Sequence, residues 1–530
     1  MGAARLRPVL LADVVTTSAA VAATRSRKEK AAAIAALLRA AHAAGVVEPA
    51  ASWLSGETRQ GRIGTGWRTL QAAATDPAAA PSLTIAEVDA TFTELAGTAG
   101  AGSGSVSTFG CAASSARIAA SAAGRSVSTE PEQAFLARLI GGELRHGALE
   151  GVMLDAVAVA AEVPLATVRR SFMLSGRLPE TAATALTGGA EALDAVALTV
   201  GVPVRPMLAS PGDSLDAALG NLGPDVTVEF KLDGARIQVH RDGDEVRVWT
   251  RSLREITAAV PELVDQVRAL PCRTAVLDGE TLALDDDGRP RAFQDTMSRF
   301  GSDDGEQGGL LSPFFFDLLH LDGCDLLDEP LEQRLDALAG LLAADAHAHL
   351  RMPGVRRPDP EQAAQVLDDA LTAGHEGVVV KSLAAPYAAG RRGKAWQKVK
   401  PVHTLDLVVL GAEWGYGRRT GSLSNIHLGA RDPDGGDPIM VGKTFKGMTD
   451  ELLAWQTRTF PEYAREQDDG DGFAVMLRPE LVVEIALDGA QRSVRYPGGV
   501  ALRFARVLRY RPDKTAAEAD TIDSVRALLA

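Results

Sequence analysis

Hydrophobic positions along the chain follow two periods, and the change from one to the other divides it. Up to about residue 198 the apolar residues recur at helical spacing inside Ala-rich segments. Ile34, Leu37 and Leu38 form one such set, and Phe135, Leu136, Leu139, Ile140 and Leu144 another. The pattern predicts an all-α unit over 1–198, interrupted by a glycine-spaced loop at 61–67 and a Gly/Ser/Ala-rich run from about Gly97 to Gly110. Near Gly201 the chain becomes rich in Val and Pro and begins to alternate. Residues 226–230, 237–240, 245–250, 276–277, 313–319 and 378–380 read as strands. The second and third of these flank Arg241-Asp242-Gly243-Asp244 and predict a hairpin. An α+β unit is therefore expected over 199–402.

Past Pro401 short strands resume at 405–410, 426–430, 439–441, 481–486 and 502–510, with one helix presenting Leu452, Leu453 and Trp455. Five short strands and a helix predict a β-barrel of the oligonucleotide-binding (OB) type over 403–530. Gly442-Lys443-Thr444 has the end of a phosphate-binding P-loop, but its upstream glycine, Gly436, is one residue out of place and no parallel βα unit surrounds it. That reading is rejected.

Composition narrows the class. With 46% hydrophobic and 23% charged residues the chain is an ordinary globular one, and its 530 residues exceed a single core. No apolar run approaches the ~18–20 residues of a membrane span, and Asp13 interrupts the apolar patch Val9-Leu10-Leu11, which argues against a signal peptide. Cys111, Cys272 and Cys324 are too few and too scattered for a disulfide framework or a four-cysteine zinc site, so a cytoplasmic location is expected. The net charge of −14 by itself speaks against a nucleic-acid partner, although local basic patches rather than the sum decide binding.

The chemistry concentrates at Glu229-Phe230-Lys231-Leu232-Asp233-Gly234-Ala235-Arg236. A strand delivers a lysine to a turn, and Asp-Gly supplies the turn. Neighbouring cations and partial desolvation favour the neutral, nucleophilic amine. Alone, this stretch reads more readily as a surface hairpin with alternating charges. Further segments follow in order: Arg251 after a strand; Asp278-Gly279-Glu280; Phe314-Phe315-Phe316-Asp317; Glu376-Gly377-Val378-Val379-Val380-Lys381; the basic run Arg391-Arg392-Gly393-Lys394-Ala395-Trp396-Gln397-Lys398-Val399-Lys400; and Arg503-Phe504-Ala505-Arg506 with Arg509 and Lys514. Alternation places Lys398 and Lys400 on one strand face, as a phosphate-facing pair would need. A carboxylate such as Glu376 at a strand start suits a hard cation.

These ordered segments resemble the nucleotidyl-lysine motifs of the ATP-dependent DNA ligase and capping superfamily. Gly142-Glu143-Leu144-Arg145-His146-Gly147 resembles the signature of the helical DNA-binding domain that precedes the core in larger ligases. The resemblance implies an antiparallel-sheet nucleotidyltransferase core, ATP and Mg²⁺ as cofactors, and nicked duplex DNA as partner of a monomeric enzyme. It implies that Lys231 is the nucleophile and that Glu229 reads the adenine amino group. Phe316 would stack on the base, Arg236 and Glu280 would hold the ribose, and Arg251, Arg392, Lys398 and Lys400 would face phosphate. Glu280 and Glu376 would hold the metal, and Arg145 and Gly147 would touch DNA. Three rivals are set aside. A capping guanylyltransferase has no use for the helical third, an NAD-dependent ligase needs a cysteine-rich zinc module, and a clamp on DNA ends does not need Lys231 among cations. No Gln-x-x-Leu-x-x-Phe-Phe-like clamp peptide occurs.

Overall fold

The computed structural model describes residues 7–61, 63, 76–99, 128–144, 146–148, 150–285, 288–291, 311–389, 392–416, 419–465 and 473–529, with backbone alone at 98, 99, 392 and 393. Most of the two expected N-terminal loops, together with Cys111, Arg145 and Arg391, lie outside the described residues.

The N-terminal part is helical, as its period predicts. Its helices are α1 (Leu11–Ala23), α2 (Arg27–Ala43), α3 (Val47–Ser55), α4 (Ile85–Ala99), α5 (Glu130–Ile140), α6 (Glu150–Ala161), α7 (Leu165–Ser175) and α8 (Leu178–Asp194). Local chemistry sets their ends. Ser26 caps α2 by accepting from Glu29 N–H, Thr129 and Glu132 form a reciprocal capping box on α5, and Gly56 ends α3 in the left-handed region. Ile34, Leu38, Trp53, Phe92, Phe135 and Phe172 sit in one buried core. The helical spacing that takes in Leu144 is not followed to its end. α5 stops at Ile140, and beyond it the His146 ring bridges Ser18 Oγ and Leu54 O at 2.8 Å each. Gly147 has φ +79°, a left-handed conformation that favours glycine.

The central part holds two five-stranded sheets. One contains β1 (Leu208–Pro211), β2 (Val226–Lys231), β8 (Gly354–Arg356), β9 (Gly377–Ser382) and β10 (Arg392–Val399), in the order β1-β10-β9-β2-β8. The other contains β3 (Ala235–Asp242), β4 (Glu245–Thr250), β5 (Thr274–Ala283), β6 (Leu311–Leu321) and β7 (Cys324–Asp325), in the order β4-β3-β5-β6-β7. Pairing is antiparallel except that β1 runs parallel to β10. β3 and β4 make the predicted hairpin. Lys231 and Ala235, however, belong to different sheets, so the turn between them is a crossover and not a hairpin. An added Cβ at Gly234 would meet Thr281 O at 2.6 Å, which is why the crossover carries glycine.

The C-terminal strands are β11 (His403–Trp414), β12 (Leu423–Ala430), β13 (Ile439–Thr444), β14 (Ala474–Met476), β15 (Val482–Leu487), β16 (Gly489–Arg492), β17 (Val500–Arg503) and β18 (Arg506–Tyr510). The helix Asp450–Thr459 packs beside them. They form one sheet in the order β13-β12-β11-β15-β18, with β14 on β11, and a separate β16–β17 ribbon. No closed barrel forms among the described residues. The expected single strand over 502–510 breaks at Phe504, whose φ of +55° leaves the β region, so β17 pairs with β16 while β18 pairs with β15.

Candidate active site

The two central sheets face each other across a cavity of about 660 Å³, and the crossover from β2 to β3 lies in its wall. Glu229, Lys231, Arg236, Arg251, Glu280, Phe316 and Lys398 all line it. Residues read from separate stretches of sequence thus share one surface.

Lys231 ends β2, and its ammonium is ion-paired with the Glu376 carboxylate. The backbone fixes this pair, because Glu376 N–H donates to Lys231 O at 3.0 Å as β9 begins. Glu376 also lies 3.9 Å from Lys400 Nζ and 3.7 Å from the Arg503 guanidinium. Lys400, just past β10, is paired with Asp488, and Arg503 donates to Asp233 at 2.6 and 3.1 Å. The C-terminal part therefore reaches the crossover from outside. Burial works against the Asp233 charge, but the Arg503 guanidinium and Lys231 hold its carboxyl below the usual range. Burial, then the nearby charges of Lys231 and Lys400, lower the Lys398 ammonium.

At the inner end Glu229 is buried and paired with Lys381 Nζ at 2.5 Å; burial raises its carboxyl against the pull of that lysine. Lys381 Nζ lies 4.2 Å from the Phe316 ring centroid and 4.5 Å from that of Trp396. Phe316 occupies a bulge: Asp278 pairs with Asp317 and Gly279 with Phe315, which leaves Phe316 unopposed and re-aims its ring to the cavity. Phe315 is the fully buried ring of this strand, and Phe314 is half-buried. Arg236 is held by Asp278 at 2.9 and 2.6 Å, and Tyr387 Oη donates to the same carboxylate at 2.6 Å. Burial pushes the Glu280 carboxyl up to about 7, with Lys231 and Arg236 pulling the other way.

Family models match two stretches, the "ATP dependent DNA ligase domain" over 206–400 and the "ATP dependent DNA ligase C terminal region" over 419–514. A "Probable DNA ligase" of Rhodococcus jostii (strain RHA1) is 65% identical over 483 residues, covering 91% of this chain and 92% of that protein. The chain belongs to the ATP-dependent DNA ligase family. A "Probable DNA ligase" of Nocardia farcinica (strain IFM 10152) is 59% identical, with 98% of this chain and all of that protein covered (100%). Among solved structures, one named "Pmar-Lig_PreS3" is similar in fold, with a TM-score of 0.61 at 16% identity over 94% of this chain and 99% of that one.

For this ligase the sequence reading missed partners more than positions. Lys381, Asp278, Tyr387, Asp233 and Asp488 each hold a residue it had singled out, and three of the five lie within the quoted stretches. Lys400 does not line the cavity but stands at its edge. The side chain of Arg392 is not described. Lys514, which closes the last motif, is bound to Asp406 at 2.6 Å inside the C-terminal sheet, beside Arg511. Glu280 and Glu376 both stand near Lys231, and among the described residues no three metal-ligating side chains converge. Two carboxylates suit a Mg²⁺ whose remaining ligands are phosphate and water oxygens. Among the described residues no helix is long and apolar enough to cross a membrane.

Proposed function

We propose that this ligase seals 5′-phosphate/3′-hydroxyl nicks in duplex DNA through a lysyl-AMP intermediate. The observation that carries the reading is the setting of Lys231: a lysine lining a cavity with room for a nucleotide, faced by Glu376 and bordered by Lys398, Lys400 and Arg503. Its Nζ attacks the α-phosphorus of ATP, forming an N–P bond as the bond to pyrophosphate breaks. The AMP passes to the 5′-phosphate of the nick, and the 3′-hydroxyl then displaces AMP. In each step charge grows on phosphate oxygens, and the surrounding cations favour that change.

Glu229 accepts from the adenine amino group, Phe316 stacks on the base, and Arg236 and Glu280 hold the ribose. Arg251, Arg392, Lys398 and Lys400 face phosphate. Mg²⁺ held by Glu280 and Glu376 together with substrate phosphate would supply charge neutralisation at the α-phosphate. Residues 1–198 form the DNA-binding unit, with Arg145 and Gly147 toward the phosphate backbone. Residues 199–402 form the adenylation unit, and 403–530 an OB-type unit that closes over the nick. The enzyme acts as a monomer in the cytoplasm. Sealing of a 5′-phosphorylated nick with Mg²⁺ and ATP, but not NAD, tests the reading; sealing with neither would overturn it.

A further inference from the structure

The helical part of the chain reaches the nucleotide cavity from behind. At the end of α7, Met173 and Leu174 are 3% and 2% exposed, and they pack in one cluster with Leu232, Phe316, Tyr387 and Trp396. This is the apolar backing of the cavity wall. Met173 O accepts from Arg205 N–H at 2.8 Å, and the Arg205 guanidinium lies 4.7 Å over the Phe172 ring. Two successive amides of the segment before β10 end on methionine sulfurs. Ala388 N–H donates to Met207 Sδ at 3.4 Å and Ala389 N–H to Met173 Sδ at 3.2 Å. Sulfur is a weak acceptor, so these bonds register close fit more than strength.

The same segment holds the cavity on its other side. Tyr387 Oη accepts from Met207 N–H at 3.0 Å and donates to Asp278, whose carboxylate grips Arg236. The path from α7 to the cavity thus runs from Met173 to Ala389, back along the chain to Tyr387, and by hydrogen bonds to Asp278 and Arg236. We propose that Met173 is a positioning residue for the nucleotide step, through which the helical part of the chain supports the wall of the cavity that takes ATP. The proposal rests on the reading of that cavity as the ATP site. It separates two roles for the helical part, one toward DNA and one toward ATP.

The test uses the full-length chain and follows covalent enzyme–AMP formation from radiolabelled ATP without DNA. Met173→Ala is expected to raise KM for ATP five- to tenfold, about the size of a coupling carried by packed side chains. The rate at saturating ATP and the affinity for a nicked duplex lacking the 5′-phosphate should stay within about twofold of wild type. Met173→Leu, which restores volume, should bring KM back to within about twofold. A merely structural role would lower the active fraction and the unfolding midpoint while leaving KM of the folded enzyme unmoved. If the alanine variant does not fold, Met173→Val carries the same test, with a KM rise of about threefold or more expected. An unmoved KM in the folded variant, or a loss of nick affinity without a change in KM, overturns the proposal. Absence of enzyme–AMP in wild type would instead strike the ATP-site reading itself.

Discussion

Glu280→Gln should make the enzyme more stable and less active, and only above a defined pH. Glu280 points into the cavity from β5, and burial holds its carboxyl at about 7 against an ordinary 4.5. Below pH 4.5 both the folded and unfolded states are protonated and the burial costs nothing. As pH rises from 4.5 to 7 the unfolded state ionises first, so it binds fewer protons and stability falls; above 7 the whole cost is present. That gap corresponds to about 3 kcal/mol, and solvent at the cavity mouth reduces it to roughly 1–3 kcal/mol. Glutamine keeps the shape of the protonated acid and removes the cost. The variant and wild type should therefore unfold within about a degree of each other at pH 4.5, and the variant should gain several degrees by pH 8, at ~2–4 °C per kcal/mol for a domain of this size. Adenylylation should fall over the same range, because the ionised oxygen is what a ribose hydroxyl or a cation needs. Calorimetric melts at pH 4.5, 6 and 8 with parallel labelling assays decide it. Parallel stability profiles for the two proteins would refute the reasoning.

Two further outcomes follow from the ion pairs. Arg334 and Asp317 are both 0% exposed, so Arg334→Met leaves a buried carboxylate without its partner. Urea unfolding at pH 7 should show a loss of about 3–5 kcal/mol, partly restored by adding Asp317→Asn; a loss below about 1 kcal/mol would contradict the packing described. Arg503→Ala and Asp233→Asn should each slow nick sealing, and the double variant should be no worse than the poorer single one. A coupling of about 1–3 kcal/mol is expected for this half-buried pair, and strict additivity would show that it is idle.

The sequence made some of this legible for physical reasons and hid the rest for physical reasons. Lys231, Asp233 and Gly234 are adjacent because a crossover must be tight, and Glu376 is readable because it opens the strand that pairs with β2. The helical third follows from its period, yet the stop of α5 at Ile140 does not, because the chain beyond it is tied by a histidine bonded to residues far away in sequence. Phe316 shows the limit of alternation. A bulge set by pairing with β5 decides which ring reaches the cavity, and pairing is not local. Phe504 shows it again, since one left-handed residue divides an apparently continuous strand into one that pairs with β16 and one that pairs with β15. Asp233–Arg503 and Lys400–Asp488 join residues that no periodicity connects, and the contacts of the C-terminal part with the crossover are invisible until the chain is folded.

The most direct test of the account is the fate of the α-phosphate of ATP. Wild type incubated with Mg²⁺ and α-labelled ATP should become covalently labelled through an acid-labile, alkali-stable bond on the peptide that contains Lys231. The label should chase onto a nicked duplex and leave as AMP when the strand is sealed. Lys231→Ala should take up no label while still binding the nick. Labelling that survives in Lys231→Ala, or wild-type protein that never takes label, would contradict it.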